Sequence, residues 1–396
     1  MKLASRLDRI EPFYVMELAK AAAEMAAGPL CDPARGGRRM IRLNIGEPDF
    51  GAAPSVREAA AQAALGPTPY TDALGLPALR EAISRWYAER HGLNVAPERI
   101  VVTAGASAGL QLACLALFER GDEVLMPDPC YPCNRHFVSA TDATPRLLPT
   151  HAAGRFQLDV DQVRRAWTPA TRGVLLASPS NPTGTSIAPE VLQDMAQAVA
   201  ERGGALVVDE IYLPLSYDDR FGHTALALPN GLGDEVISVN SFSKYFGMTG
   251  WRLGWLVLPP ALVPAVERLA QNFYICPSTL AQRAALSCFE PAALEEFERR
   301  RLTLRARRDY IVPALQSLGL HVPVPPDGAF YAWMDVSARH ADSWQFAHDL
   351  LQRAQVALTP GRDFGVADPQ RWMRLSFASA QADLEEAMAR LREVLA

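Results

Sequence analysis

Between residues 100 and 258 the chain alternates two textures, and that alternation restricts its fold more than any other feature. Ile100–Thr103, Glu123–Met126, Gly173–Ala177, Ala205–Asp209 and Glu235–Asn240 are apolar runs too short for helices. Helix-period stretches such as Ala108–Phe118 and Pro189–Glu201 lie between them. A strand buried on both faces reads as a continuous apolar run, and parallel neighbours need a crossover that a helix fills. The pattern therefore predicts an α/β fold: a mostly parallel sheet flanked by helices, with Trp251–Leu258 as one further strand. The Pro127–Pro132 cluster reads as a turn.

The flanks differ. Val15–Met25 is helical and is followed by the Gly/Pro/Arg-rich segment Gly28–Arg39. Val56–Leu65 and Leu76–His91 are amphipathic, the second entered by Pro77 and closed by Gly92. After Pro291 come a long charged helix (Ala293–Leu315), short strands at Phe330–Met334 and Met373–Phe377, and a helix at Ala382–Leu395. The expected division is an N-terminal arm with part of a small α+β domain (1–48), a large domain (49–290), and the rest of the small domain (291–396).

Charge narrows the partners. A net charge of −5 supplies no basic field for nucleic acid. The Arg299–Arg301 and Arg305–Arg308 clusters are broken by apolar residues and read as the wet face of a helix. No stretch suits a membrane span, and Asp8, Glu11 and Glu17 interrupt any signal-peptide core, which leaves the cytoplasm as the expected location. Cys130 and Cys133 form a CxxC without a second ligand pair, so no metal is expected.

The chemistry concentrates in Ser241-Phe-Ser-Lys-Tyr-Phe-Gly-Met-Thr-Gly-Trp-Arg-Leu-Gly254. Lys244 follows an apolar strand at the carboxyl edge of the expected sheet, where open α/β sheets bind ligands. Ser241 and Ser243 bring hydroxyls, Arg252 brings a cation on the following strand, and the glycines permit close backbone approach. A lone Ser-Lys pair would be read as a surface turn. The whole segment resembles the cofactor-lysine signature of class I and II aminotransferases, and the resemblance runs from about Ile41 to Phe377.

That resemblance implies a fold type I enzyme of the aspartate aminotransferase kind, a homodimer with shared active sites. It implies pyridoxal 5'-phosphate (PLP) held by Lys244 as a Schiff base, with an α-amino acid and a 2-keto acid as substrates. Asp209, ending the run Val207-Val-Asp-Glu-Ile-Tyr212, would by itself be a cap or structural acid. The resemblance gives it the pyridine nitrogen, which it keeps protonated, and gives Tyr212 the cofactor's phenolate oxygen. Asn181, in Ser178-Pro-Ser-Asn-Pro-Thr-Gly184, reads alone as a turn residue; the family places it on the phenolate oxygen and the substrate carboxylate.

Thr103-Ala-Gly-Ala-Ser-Ala-Gly109 leads into a helix whose start suits a phosphate, or else simply packs small residues. By resemblance Ala106 and Ser107 take that phosphate, Tyr131 stacks on the pyridine, and Tyr70 reaches the phosphate of the neighbouring subunit. Arg374, in Met373-Arg-Leu-Ser-Phe377, needs a partner in an apolar strand. The partner is a structural acid or, as in the family, the substrate carboxylate, which Gly46 also touches. Ile10–Tyr14 is expected to cover the site.

These assignments imply transamination, with Lys244 as general base and acid. Two alternatives share the motifs. One is a β-eliminating carbon–sulfur lyase; the other is a PLP-binding regulatory module, which would carry a DNA-binding segment before the fold.

Overall fold

A computed structural model describes Met1–Ala396. Strand β1 (Ile41–Arg42) is followed by β2 (Ile100–Thr103), β3 (Glu123–Asp128), β4 (Thr144–Pro149), β5 (Thr171–Ala177), β6 (Ala205–Asp209), β7 (Ile237–Ser241) and β8 (Gly254–Val257). The last seven form one sheet in the order β2-β8-β7-β6-β5-β3-β4. Every pairing is parallel except the two made by β8, which runs antiparallel to β2 and to β7. Two reversals leave β2 parallel to β7. Consequently the carboxyl ends of β2, β3, β5, β6 and β7 share an edge with the amino end of β8.

Burial confirms the physical basis of the reading. All residues of β2, β7 and β8 are buried. Helices cover both faces, and the sheet separates the apolar clusters there, one around Val101, Leu175 and Val239 and one around Val174, Leu206 and Val208.

The second layer of structure joins the chain's two ends. Strands β9 (Tyr331–Asp335), β10 (Val356–Ala357), β11 (Thr359–Pro360) and β12 (Trp372–Ser376) follow the 27-residue helix Pro291–Ser317. β12 lies between β9 and β11, and β10 pairs in parallel with β1, tying Ile41 to Val356.

Three local expectations change. Pro127–Pro132 is more than a turn: β3 runs to Asp128, and an unforeseen helix, Pro132–Ala140, leads to the equally unforeseen β4. Pro132 serves as its first helical residue, where a missing N–H costs nothing. Arg252 does not lie on the strand after Lys244. It precedes β8 in a left-handed turn, at φ +53°. The arginine clusters of the long helix are not a wet face, because most of these cations are tied inward. Arg300, Arg301 and Arg308 donate to the carbonyls of Gly51, Ser216 and Pro326, and only Arg299 and Arg305 are exposed. Arg307 is buried and grips both oxygens of Asp49 at 2.8 Å.

Removing one partner of a buried pair leaves an uncompensated charge. Asp49→Ala is expected to lower stability by about 2–3 kcal/mol, less than a fully buried pair would lose because Asp49 is partly in water. Urea unfolding of the variant and the wild type measures the difference, and equal midpoints would refute the assignment.

Candidate active site

A cavity of about 470 Å³ opens at the shared sheet edge. It is lined by Gly46, Ala106, Ser107, Tyr131, Asn181, Asp209, Tyr212, Ser241, Ser243, Lys244, Arg252 and Arg374. These residues are separated by as many as 328 positions in sequence, and the strand order brings them together. Tyr70 is the exception: it is 78% exposed and does not line the cavity.

Lys244 projects from the loop after β7. Its Nζ donates to the Gly46 carbonyl at 2.7 Å and lies 5.8 Å from the centre of the Tyr212 ring. Burial, then the positive charge of Arg374, lowers the pKa of the amine to about 8. Asp209 closes β6 and accepts the Ile211 N–H at 3.2 Å. Burial raises its carboxyl to about 7, and the neighbouring charge of Glu210 acts in the same direction. A buried acid and a buried amine thus both titrate near neutrality, which is a frequent property of catalytic groups.

The helix Ala106–Leu117 begins at the cavity behind Gly105, whose φ is +85°. A Cβ on Gly105 would come within 2.7 Å of an Arg252 nitrogen, and one on Gly254 within 2.8 Å of the Ala106 N. The two glycines let the guanidinium and the first helical N–H groups crowd into one small volume. The Ser241 hydroxyl accepts the Ser243 N–H at 3.0 Å and shapes the turn that carries Lys244.

On the opposite wall, Arg374 is buried on β12. It donates to Asn181 Oδ1 at 2.8 Å and to the Asn44 carbonyl at 2.7 Å. Its guanidinium lies between the rings of Tyr331 (4.4 Å) and Phe364 (4.8 Å), and its Nε has no partner in the protein. No carboxylate neutralises it by direct contact. The structural salt bridge considered from sequence is absent from its hydrogen bonds.

Several lining residues escaped the sequence. Of Ile10–Tyr14 only Phe13 lines the cavity, and it meets Tyr131 edge to face at 6.3 Å. The cover comes mainly from the helix Tyr14–Ala26, through Val15, Met16 and Ala19. The sequence placed Val15–Met25 in a helix, yet nothing in it said which surface that helix meets. Ile45 and Glu47, the immediate neighbours of Gly46, also line the cavity. Tyr331 sits in an aromatic strand whose spacing carries no sign of the site.

Comparison with known proteins gives this geometry its family. The family model "Aminotransferase class I and II" matches residues 38–391. A valine–pyruvate aminotransferase of Mycobacterium tuberculosis is 40% identical over 383 residues, covering 96% of either chain. A crystal structure of an aminotransferase from the same organism superposes with a TM-score of 0.92 at 39% identity, covering 100% of this chain and 99% of the other. An aspartate aminotransferase from Thermus thermophilus, solved with maleate, gives 0.89 at 33% identity over the whole of both chains.

Members of that family use PLP, and the donor set suits it: an amine for an aldehyde, an acid for a pyridine nitrogen, and a helix start beside Arg252 for a phosphate. An amine reacts with an aldehyde only when unprotonated. As pH rises through about 8, Lys244 loses its proton, so the rate of cofactor capture by cofactor-free protein is expected to rise and then level off. Stopped-flow absorbance measures that profile. Lys244→Ala is expected to capture none, and a flat profile would contradict the assigned reactive amine.

Proposed function

The chain belongs to the class I and II aminotransferase family, and from that premise we propose that it transfers amino groups from donors with apolar side chains to a 2-keto acid. It is a PLP-dependent transaminase. The donor class rests on the lining of the cavity. Phe13, Val15, Met16 and Ile45 offer apolar surface, and the only basic side chains are Lys244, Arg252 and Arg374. With those three engaged by cofactor and α-carboxylate, this chain brings no cation for a second carboxylate. The valine–pyruvate specificity named for the 40%-identical relative agrees with that reading.

We assign the residues as follows. Bound PLP supplies an aldehyde carbon for an amine and a protonated pyridine ring that draws electron density from the substrate Cα. Asp209 holds the proton on the pyridine nitrogen, and its burial leaves it little solvent to pair with instead. Arg374 fixes the α-carboxylate through parallel N–H donors, supported by Asn181, whose Nδ2 remains free to donate. Gly46 contributes backbone at that carboxylate. Lys244 Nζ would take the substrate Cα proton as general base and later serve as the acid, a task suited to an amine titrating near 8. Ala106, Ser107, Ser241, Ser243 and Arg252 would hold the phosphate, Tyr131 would face the ring, and Tyr212 would donate to the phenolate oxygen.

The exposed Tyr70 fits a site completed by a second copy. Its loop is bound to the helix Thr279–Ala285 by Thr279 Oγ1 donating to the Pro69 carbonyl and by Arg283 donating to that of Pro67. Leu65, Ile275 and Leu280 add exposed apolar surface along these segments. We therefore assign a homodimer in which Tyr70 reaches the partner's phosphate. We also read residues 49–290 as the cofactor-binding domain and 1–48 with 291–396 as the smaller one, joined by the pairing of β1 with β10. No helix is long and apolar enough to cross a membrane. Six unpaired cysteines, four of them buried, support a cytoplasmic placement, where thiols stay reduced.

A panel of alanine, valine, leucine, phenylalanine, aspartate and glutamate, with pyruvate or 2-oxoglutarate as acceptor, tests the donor class. An unpaired buried carboxylate costs enough to favour the apolar donors by about tenfold or more in kcat/KM. A preference for aspartate would overturn the reading, and ammonia with pyruvate formed without an acceptor would indicate elimination instead. Tyr70→Phe is expected to raise the cofactor's Kd by about tenfold, the loss of one hydrogen bond to a charged group. Light scattering should give the mass of two chains.

A further inference from the structure

Tyr331 is buried at the start of β9 and touches three of the assigned groups at once. Its hydroxyl lies 2.8 Å from the hydroxyl of Tyr212, with the two rings nearly perpendicular at 82°. Its ring carries the Arg374 guanidinium at 4.4 Å. Its hydroxyl also fills the space beside Gly46: a Cβ there would lie 1.9 Å from the Tyr331 oxygen. That contact accounts for glycine at position 46, whose carbonyl accepts from Lys244. The β9–β12 register places Trp333 opposite Arg374, so Tyr331, two residues earlier, shares the sheet face of Arg374.

We propose that Tyr331 is a positioning residue that donates its hydroxyl proton to Tyr212 and thereby directs the Tyr212 proton at the cofactor's phenolate oxygen. The proposal rests on the assignment of Tyr212 above. Its physical core is a count of protons. Burial raises the pKa of both phenols, Tyr212 well above the usual value, so both remain protonated. Two hydroxyls hold two protons, and one proton lies between them. Only one O–H is left to point elsewhere. If Tyr212 donates toward the cofactor, it accepts from Tyr331, and acceptance polarises its own O–H and strengthens the outgoing bond. Without Tyr331 the Tyr212 hydroxyl is free to rotate about its C–O bond.

Visible absorption of the PLP-loaded enzyme, titrated against pH, reads this directly. A donor at the phenolate oxygen stabilises its negative charge, so the chromophore loses its proton at lower pH. Tyr331→Phe removes one oxygen and keeps the ring under Arg374. It is expected to raise the titration midpoint by about half a pH unit, and Tyr212→Phe by about one unit or more, the scale of a neutral hydrogen bond. Because Tyr331 acts through Tyr212, the double variant should titrate with Tyr212→Phe alone rather than at the sum of the two shifts. A Tyr331→Phe midpoint equal to wild type, with Tyr212→Phe shifted, would overturn the proposal, as would additive shifts. If Tyr212→Phe leaves the midpoint unmoved, the Tyr212 assignment itself falls, and this inference with it. Thermal melts of the same proteins separate a packing defect, which lowers Tm and leaves the midpoint in place.

Discussion

The site depends on strand direction. Because β2, β5, β6 and β7 run the same way, Gly105, Ala177, Asp209 and Ser241 meet at one edge of the sheet. The reversal of β8 is equally important, since β8 starts at that edge instead of ending there, and Arg252 just before it stays against Gly105. A β8 parallel to its neighbours would carry Arg252 to the opposite edge, about 15 Å away for a strand of this length. Backbone hydrogen bonding thus decides which side chains can cooperate before any of them contributes chemistry.

Closing that edge buries charges that water would otherwise solvate. Lys244, Asp209 and Arg374 lie in one cavity, where an uncompensated charge is costly. The fold lowers the cost in three ways. Carbonyl oxygens of Gly46 and Asn44 accept from the two cations. Aromatic faces of Tyr331 and Phe364 flank Arg374. The pKa values of Lys244 and Asp209 move toward neutrality, so that each group exchanges its proton readily near physiological pH. The residual cost appears as unsatisfied capacity, such as Arg374 Nε, and that capacity is what a ligand carboxylate can use.

The N-terminal helix joins this economy from outside the sheet. Tyr14 N–H donates to Asp363 at 2.8 Å, beside the loop that bears Phe364, while Phe13 meets Tyr131. Val15 and Met16 then face the cavity. The cover over the substrate space is therefore anchored to the small sheet's end of the chain, so both termini shape one pocket.

Much of this was readable in one dimension. Continuous apolar runs identify strands buried on both faces, and Asp209 ends such a run while Lys244 and Asn181 follow one, so their place at a sheet edge needs only local pattern. Local pattern could not supply the helix at Pro132–Ala140 or β4, because Pro127, Pro129 and Pro132 advertise a turn while tertiary packing extends β3 through the first of them. Nor could it reveal that Arg307 is buried, since a helix period does not distinguish an arginine facing water from one facing Asp49. The sequence by itself determined the residue types that line the cavity and the strands that present them, because those signals lie within a few residues of one another. Tertiary structure alone decided that Tyr331 meets Tyr212, that Arg374 has no acid partner, and that Tyr70 stands outside the cavity. These are contacts between segments more than a hundred residues apart, set by strand order and register, and no local spacing encodes them.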